Sequence, residues 1–207
     1  MSDKILNEVS AYYSEKVLKN GTTPQGVDWN SLESQEFRFG LLSEMISKRD
    51  GISVLDYGCG FGAMYDYLKK QNFKNLKFIG YDISTAMIDA AQKLYGNDLA
   101  AEWYVQLPEN YKADYVIASG IFNVKQETSN EDWKDYMLKT LQKMNQLSTK
   151  GFSFNVLTKY SDKEFMKDNL YYADPLFLFD YCKTNFSKYV ALKHDYPLYE
   201  FTIVVKK

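Results

Sequence analysis

The run Val54-Leu55-Asp56-Tyr57-Gly58-Cys59-Gly60-Phe61-Gly62 places a hydrophobic stretch and a carboxylate ahead of three glycines spaced two apart. This pattern suits a strand that ends in a ligand-binding turn. Glycine tolerates positive φ and lets the backbone approach a ligand where a Cβ would collide. A second acidic strand end follows: the alternating run Leu76-Lys77-Phe78-Ile79-Gly80-Tyr81 closes on Asp82. Asp82 lies about 20 residues past Gly62, where a βαβ nucleotide fold places its ribose-binding carboxylate. Chemistry at these two strand ends would be that of a nucleotide-type cofactor.

To present both strand ends at one edge, the chain needs a parallel sheet, and from Ile52 onward strand and helix patterns alternate as a doubly wound sheet demands. The spacing predicts strands over Ile52 to Asp56, Leu76 to Asp82, Ala101 to Val105, Ala113 to Ser119 and Gly151 to Leu157. Helices are expected over roughly Gly62 to Lys70, Ser84 to Leu94, Glu131 to Leu147 and Asp174 to Asn185, with Ser84 as an N-cap. The tail reads as two alternating strands, Lys188 to His194 and Tyr199 to Val205, joined by a short turn. Before the first strand, Ile5, Val9, Tyr12 and Tyr13 are spaced as on a helix. A break falls at Asn20 to Gly26, and a second helix is expected from Ser31 to about Lys48. One domain is expected over 1–207, with 1–50 a helical cover and 51–207 a Rossmann-like core.

At 207 residues the chain is long enough to bury a sizeable core. A net charge of −2 argues against binding nucleic acid mainly through phosphate neutralisation. Cys59 and Cys182 lack CxxC spacing and His194 is the only histidine, so no metal site of zinc type is expected. With no apolar leader and no run approaching the ~20 residues of a spanning helix, a cytoplasmic protein with no membrane segment is expected. Eighteen tyrosines and 13 phenylalanines exceed what a minimal core needs. Many such rings lie half-buried with the hydroxyl in water, and some should line a pocket.

On the motifs VLDYGCGFG, IGYDIS and DYVIASGIFN, the chain resembles the class I S-adenosylmethionine-dependent methyltransferases from Gly51 to its end. The resemblance implies a Rossmann-like seven-stranded sheet whose last two strands form a hairpin, the final one antiparallel. The phrase GTTPQGVDWNSLESQEFRF also resembles a small bacterial subgroup of undefined substrate, associated with surface-glycan biosynthesis. The implied cofactor is S-adenosyl-L-methionine, with Asp56, Gly58, Cys59, Gly60 and Gly62 around its methionine part and Asp82 on the ribose hydroxyls. Ile83 and Met87 would pack on the adenine, with Glu102 or Trp103 near its amine, and Ser119 and Gly120 would lie beside the cofactor. Arg38 could receive the cofactor's α-carboxylate, since a guanidinium matches that geometry; in the other reading it is a surface helix arginine. Tyr12 and Tyr13 could close over the sulfonium or simply pack helices.

Methyl transfer to a hydroxyl needs a positioned nucleophile and a route for its proton. His194 is the natural candidate base near neutral pH, although a single histidine beside a turn is ordinarily structural or solvated. Asn123 would line the cleft beside the reactive methyl. Tyr171 and Tyr172 could stack on a sugar or another flat acceptor, or belong to a capping turn before Asp174-Pro175. Asn123 is followed by Val124 and not by a Pro-Pro-Tyr type sequence, which favours a small-molecule acceptor and oxygen as the methylated atom. The leading expectation is therefore O-methylation of a sugar or glycan-related small molecule. The alternatives are an NAD-dependent oxidoreductase or a non-catalytic cofactor-binding regulatory module.

Overall fold

The computed structural model describes every residue except 1, 24, 25, 27–30, 48, 49 and 74, and no side chain is described for 2 and 3. Pro24 and Gln25 of the expected break, Trp29 of the N-terminal phrase and the expected end of the second helix at Lys48 lie outside the described residues. The chain runs α1 (Ser2–Asn20), α2 (Leu32–Ser43), β1 (Ser53–Tyr57), α3 (Ala63–Lys70), β2 (Lys77–Tyr81), α4 (Thr85–Tyr95) and β3 (Ala101–Tyr104). It continues through β4 (Ala113–Ala118), α5 (Asn130–Leu147), β5 (Ser148–Leu157), α6 (Pro175–Asn185), β6 (Tyr189–Lys193) and β7 (Glu200–Lys206). A short 3₁₀ turn, Lys163–Phe165, interrupts the long β5–α6 connection.

The seven strands form one sheet in the order β3-β2-β1-β4-β5-β7-β6. Strands β1 to β5 are parallel to one another, while β7 is antiparallel to both β5 and β6. This is the Rossmann-like arrangement with its terminal hairpin. The strand order reverses between β1 and β4, and an open parallel sheet leaves its ligand crevice at that reversal, beyond the carboxyl ends of the strands. Val54, Leu55, Val116, Ile117, Phe152 and Phe154 are fully buried, as expected for central strands covered on both faces.

Helix starts are set by side chains that satisfy the first free N–H groups. Ser84 Oγ accepts from Met87 N at 3.2 Å and Ser129 Oγ from Asp132 N at 3.1 Å. Asp174 Oδ1 accepts from Leu176 N at 3.0 Å, with Pro175 in the first turn of α6. Trp133 on α5 is fully buried, and its Nε1 donates to Phe122 O at 2.8 Å. That bond ties the loop after β4 to the core, so helix packing fixes a loop at the crevice.

The N-terminal helices cover the crevice from two sides. Val17 of α1 packs with Phe61 and Met87 in a small hydrophobic cluster of its own. Ser14 and Ser84 hydroxyls bond at 2.8 Å, and Ser10 Oγ donates to Ile83 O at 3.3 Å. Helix α2 buries Phe39 and Leu42 in a second hydrophobic cluster with Ile52, Val54 and Ile117, and Ser153 Oγ donates to Leu42 O at 2.8 Å.

Candidate active site

The first half of the site follows from the turn after β1. Gly58, Gly60 and Gly62 all have positive φ, at 85°, 53° and 92°. A Cβ on Gly58 would stand 2.3 Å from Ile121 Cγ2, and one on Gly62 would stand 2.5 Å from the Trp103 ring. Both glycines are thus required by backbone conformation and by space. Gly58 N and Cys59 N donate to Tyr81 O at 2.7 and 3.0 Å, clamping the turn to the end of β2. Asp82 completes the clamp: its Oδ2 accepts from Gly60 N and its Oδ1 from Ser84 N, both at 2.9 Å. Each carboxylate oxygen keeps lone-pair capacity for a further donor.

These residues form one end of a cavity of about 530 Å³ under the two cover helices. Asp56, Gly58, Cys59, Gly60, Asp82, Ile83 and Met87 line it, as do Ser119 and Gly120 from the end of β4. Two polar atoms in this wall are buried with no hydrogen-bond partner, Asp56 Oδ1 and Ser119 Oγ. A buried oxygen left unpaired costs about 1–3 kcal/mol, so both atoms suit a ligand that would satisfy them. Burial, and secondarily the nearby Asp82 carboxylate, pushes the Asp56 pKa up to about 8. Burial also raises the pKa of Asp82, opposed by the N–H groups of Ser84 and Gly60. A cationic ligand would relieve both carboxylates, and the glycine turn leaves room for one. The wall fits S-adenosylmethionine on all three counts.

The opposite end of the cavity is assembled from distant segments. Gln35, Arg38 and Phe39 come from α2, Asn123 and Val124 follow β4, and Tyr199 and Glu200 open β7. Leu157 ends β5, and Ser161, Phe165, Lys167, Asn169, Leu170 and Tyr172 come from the β5–α6 connection. That connection is stitched down by backbone bonds. Lys125 N and Gln126 N donate to Asn169 O at 3.0 and 3.1 Å, Tyr171 N to Asn123 O at 2.8 Å, and Lys159 N to Ala173 O at 2.9 Å. The Phe165 and Tyr199 rings lie 5.8 Å apart, 60% and 45% exposed at the cavity. Tyr199 Oη donates to Asp162 Oδ2 at 2.5 Å, and Tyr172 Oη accepts from Lys167 N at 3.0 Å.

Not all of the residues expected at the site line the cavity. Trp103 lies on the other face of the sheet edge, stacked on Tyr95 and against Gly62 and Gly80, and so supports the glycine turn from beneath instead of touching the cavity. No residue of β3 lines the cavity. Glu102 does not line the cavity and pairs with Lys77 and Tyr104. Gly62 shapes the turn without lining the cavity, and Tyr171 is buried in the core while its neighbour Tyr172 lines the wall. Arg38 does line the cavity, but its Nε donates to both Glu200 oxygens at 2.8 and 2.9 Å and its Nη1 to Ser34 O at 2.8 Å. The guanidinium is thus anchored to the buried Glu200 carboxylate and to its own helix. His194 is exposed past the end of β6, between the Tyr160 and Phe201 rings, and is not part of the wall. It stands at the same end of the sheet as Leu157 and Glu200, which do line the cavity, because β6 runs antiparallel to β7 and β7 to β5. Tyr12 and Tyr13 of α1 line the cavity from above.

Sequence reasoning missed Glu200 and Asn155. Both are polar residues at buried positions in strands of otherwise apolar alternation, Tyr199-Glu200-Phe201 and Phe154-Asn155-Val156, and that break in pattern was the available signal. Among the described residues no group of acidic, histidine and cysteine side chains could hold a metal ion. No described helix is long and apolar enough to cross a membrane.

Comparison with known proteins agrees with this geometry. A family model described as a methyltransferase domain, Methyltransf_12, matches residues 55–151. The Mycobacterium tuberculosis (strain ATCC 25618 / H37Rv) protein Rv1506c, which carries a methyltransferase name, is 45% identical over 163 residues, covering 79% of this chain and 98% of its own. Among solved structures, DhpI in its complex with SAM and HEP superposes with a TM-score of 0.65 at 12% identity, over 98% of both chains. The plantazolicin methyltransferase BpumL, bound to a pentazolic desmethylPZN analog and SAH, gives 0.61 at 13% identity, over 100% of this chain and 99% of its own. Magnesium protoporphyrin IX methyltransferase (ChlM) from Synechocystis PCC 6803 with bound SAH gives 0.57 at 17% identity, over 84% of this chain and 81% of that one. At these identities the structural likeness is one of fold, and the oxidoreductase alternative finds no support in it. With the sequence relative, the domain match and the fold in agreement, the chain belongs to the class I S-adenosylmethionine-dependent methyltransferases.

Proposed function

We propose that this methyltransferase binds S-adenosyl-L-methionine against the β1 and β2 ends and methylates a hydroxyl of a small ring-shaped acceptor, a sugar or glycan-related intermediate being the leading class. The observation that carries the reading is the division of the cavity. One end holds two buried carboxylates and the glycine turn, and the other holds aromatic rings with hydrogen-bonding side chains between them.

When bound, S-adenosylmethionine would supply an activated methyl on a sulfonium. Asp82, fixed by two N–H donors, would accept from the ribose hydroxyls, and Ile83 and Met87 would cover the adenine. Asp56 and the Gly58–Gly60 backbone would hold the methionine part, and Ser119 Oγ, buried and unpaired, would gain a partner. Phe165, Tyr199 and Tyr172 offer ring faces and edges to a sugar or other flat ring, whose apolar face they would take out of water. Asn123 Oδ1 accepts from Leu157 N at 3.2 Å, which fixes the carboxamide and leaves Nδ2 as its unclaimed end for an acceptor oxygen. Among the described residues no histidine lines the cavity. The wall's carboxylate on the acceptor side, Glu200, is held by Arg38 and so serves as an orienting anion. Rate enhancement would rest on proximity and alignment of the acceptor oxygen, a source worth up to ~7–11 kcal/mol in well-oriented reactions, with the hydroxyl proton lost to water and S-adenosylhomocysteine as the leaving group.

The test is calorimetry with S-adenosylhomocysteine, followed by a panel of hydroxylated sugars, aromatic alcohols and amines assayed for cofactor consumption. Binding with turnover confined to hydroxylated acceptors is expected. No binding to the folded protein would overturn the cofactor assignment, and turnover confined to amines would overturn the oxygen assignment.

A further inference from the structure

A chain of buried polar contacts runs from the cover helix α2 to the floor of the cavity, and its middle member, Asn155, has none of the roles above. Arg38 and Glu200, 162 residues apart, pair through Nε on both carboxylate oxygens, with side chains 11% and 1% exposed. Asn155 Nδ2 donates to the same Glu200 Oε1 at 2.9 Å. Asn155 Oδ1 in turn accepts from Gly120 N at 2.7 Å. Gly120 has φ +76°, and its carbonyl accepts from Asn123 N at 3.2 Å. Asn155 is fully buried in β5 and is not part of the cavity wall, whereas Gly120 and Asn123 are.

A buried carboxylate is costly unless paired, and replacing such a network with well-packed apolar groups is often neutral for stability. Stability alone is therefore a weak reason for three polar residues here. What the network does is hold the first N–H of one peptide turn. The Gly120 N–H is bound by a carboxamide whose own orientation is set by Glu200, and Glu200 is set by the Arg38 fork. A carboxamide without that carboxylate could rotate and present Nδ2, a donor, to the Gly120 N–H.

We infer that Arg38, Glu200 and Asn155 are positioning residues that hold the Gly120–Asn123 turn in register and couple it to the seating of helix α2. The inference rests on reading the cavity as the cofactor and acceptor site. Arg38 and Glu200 also border the cavity directly, but Asn155 reaches it only through Gly120, so an effect of Asn155 on ligand binding must pass along the chain.

The test pairs amide hydrogen exchange of the unliganded protein with calorimetry using S-adenosylhomocysteine, on Arg38→Gln, Asn155→Ala and the double variant. The Gly120 amide is expected to exchange about 10-fold or more faster in each single variant, while amides of β1 change less. Affinity should fall several-fold in each, and the double variant should lose no more than about the worse single one, as members of one network do. Gly120 exchange that moves only in step with β1 would overturn the inference, as would affinity losses that multiply. Should Arg38→Gln fail to fold, the near-isosteric Glu200→Gln decides the same question through Gly120 exchange. Wild-type protein that binds no S-adenosylhomocysteine would instead count against the cofactor assignment, with the exchange measurements still deciding the relay.

Discussion

The two ends of the cavity are built in opposite ways. The β1 and β2 end is local: Asp56 to Gly62 and Asp82 to Met87 sit on two strand–turn–helix units, and backbone N–H groups do most of the orienting. The opposite end, where the proposed acceptor would sit, is assembled from α2, the β4 loop, the β5–α6 connection and the start of β7, and side chains do the orienting through the Arg38–Glu200–Asn155 chain. A backbone-built site depends on a few glycines and tolerates little change. A site made of side chains on long connections can be re-specified without disturbing the sheet. On the proposed function, the first end would hold the cofactor and the second would set the acceptor.

The sharpest break is expected from Gly58→Val. A Cβ there meets Ile121 at 2.3 Å at a φ of +85°, so strain and collision act together. S-Adenosylhomocysteine affinity should fall by roughly 100-fold or more, read by calorimetry beside a circular dichroism spectrum that stays native. Asp82→Ala comes next. It removes the acceptor for the ribose and orphans the Gly60 and Ser84 N–H groups, at a cost of ~1.5–3 kcal/mol, or about 10-fold to 150-fold in affinity.

Asp56 gives the two measurements opposite signs. Its folded pKa of about 8 lies above its unfolded value of 3.8. Between those values the native state holds a proton that the unfolded chain has released, so stability falls as pH rises through that window. A ligand ammonium favours the ionised carboxylate, so affinity for S-adenosylhomocysteine should rise over about the same range, by at most about 10-fold per pH unit. Asp56→Asn should flatten both slopes, and an unchanged thermal profile between about pH 5 and pH 8 would count against the raised pKa.

The smallest effects on cofactor belong to the other end. Phe165→Ala should leave S-adenosylhomocysteine affinity within about two-fold yet raise the acceptor KM by roughly 5-fold to 10-fold, the worth of one lost ring contact. His194→Ala should change neither by more than about two-fold, because the imidazole is exposed and outside the wall. A large loss of turnover in His194→Ala would return that residue to the site and shift the acceptor boundary toward β6.

Much of the fold was legible because its signals are local. Alternating apolar runs mark strands, Ser84 and Asp174 mark helix starts, and a glycine-rich turn after a strand marks the crevice. Trp103 shows the limit: its strand was readable, but which face it would take depended on the pairing of Phe78 with Ala101 and Gly80 with Trp103 across β2. Gly80 is the small residue that lets the indole lie flat there, with a hypothetical Cβ only 2.3 Å from the ring. Tyr171 and Tyr172 show the same limit in a connection, where adjacent rings diverge into core and cavity.

By itself, the sequence determined the elements, the parallel core with its terminal hairpin and the glycine turn and acidic strand end at one side of the cavity, since strand, turn and N-cap chemistry act over a few neighbouring residues. Only the tertiary structure decided that Arg38 faces Glu200, that Asn155 joins them to Gly120 and that His194 lies outside the cavity wall. Those outcomes depend on where β7 threads beside β5 and how α2 seats across them. The desolvation of a charge draws its partner from whatever the fold brings near, and no spacing along the chain encodes that.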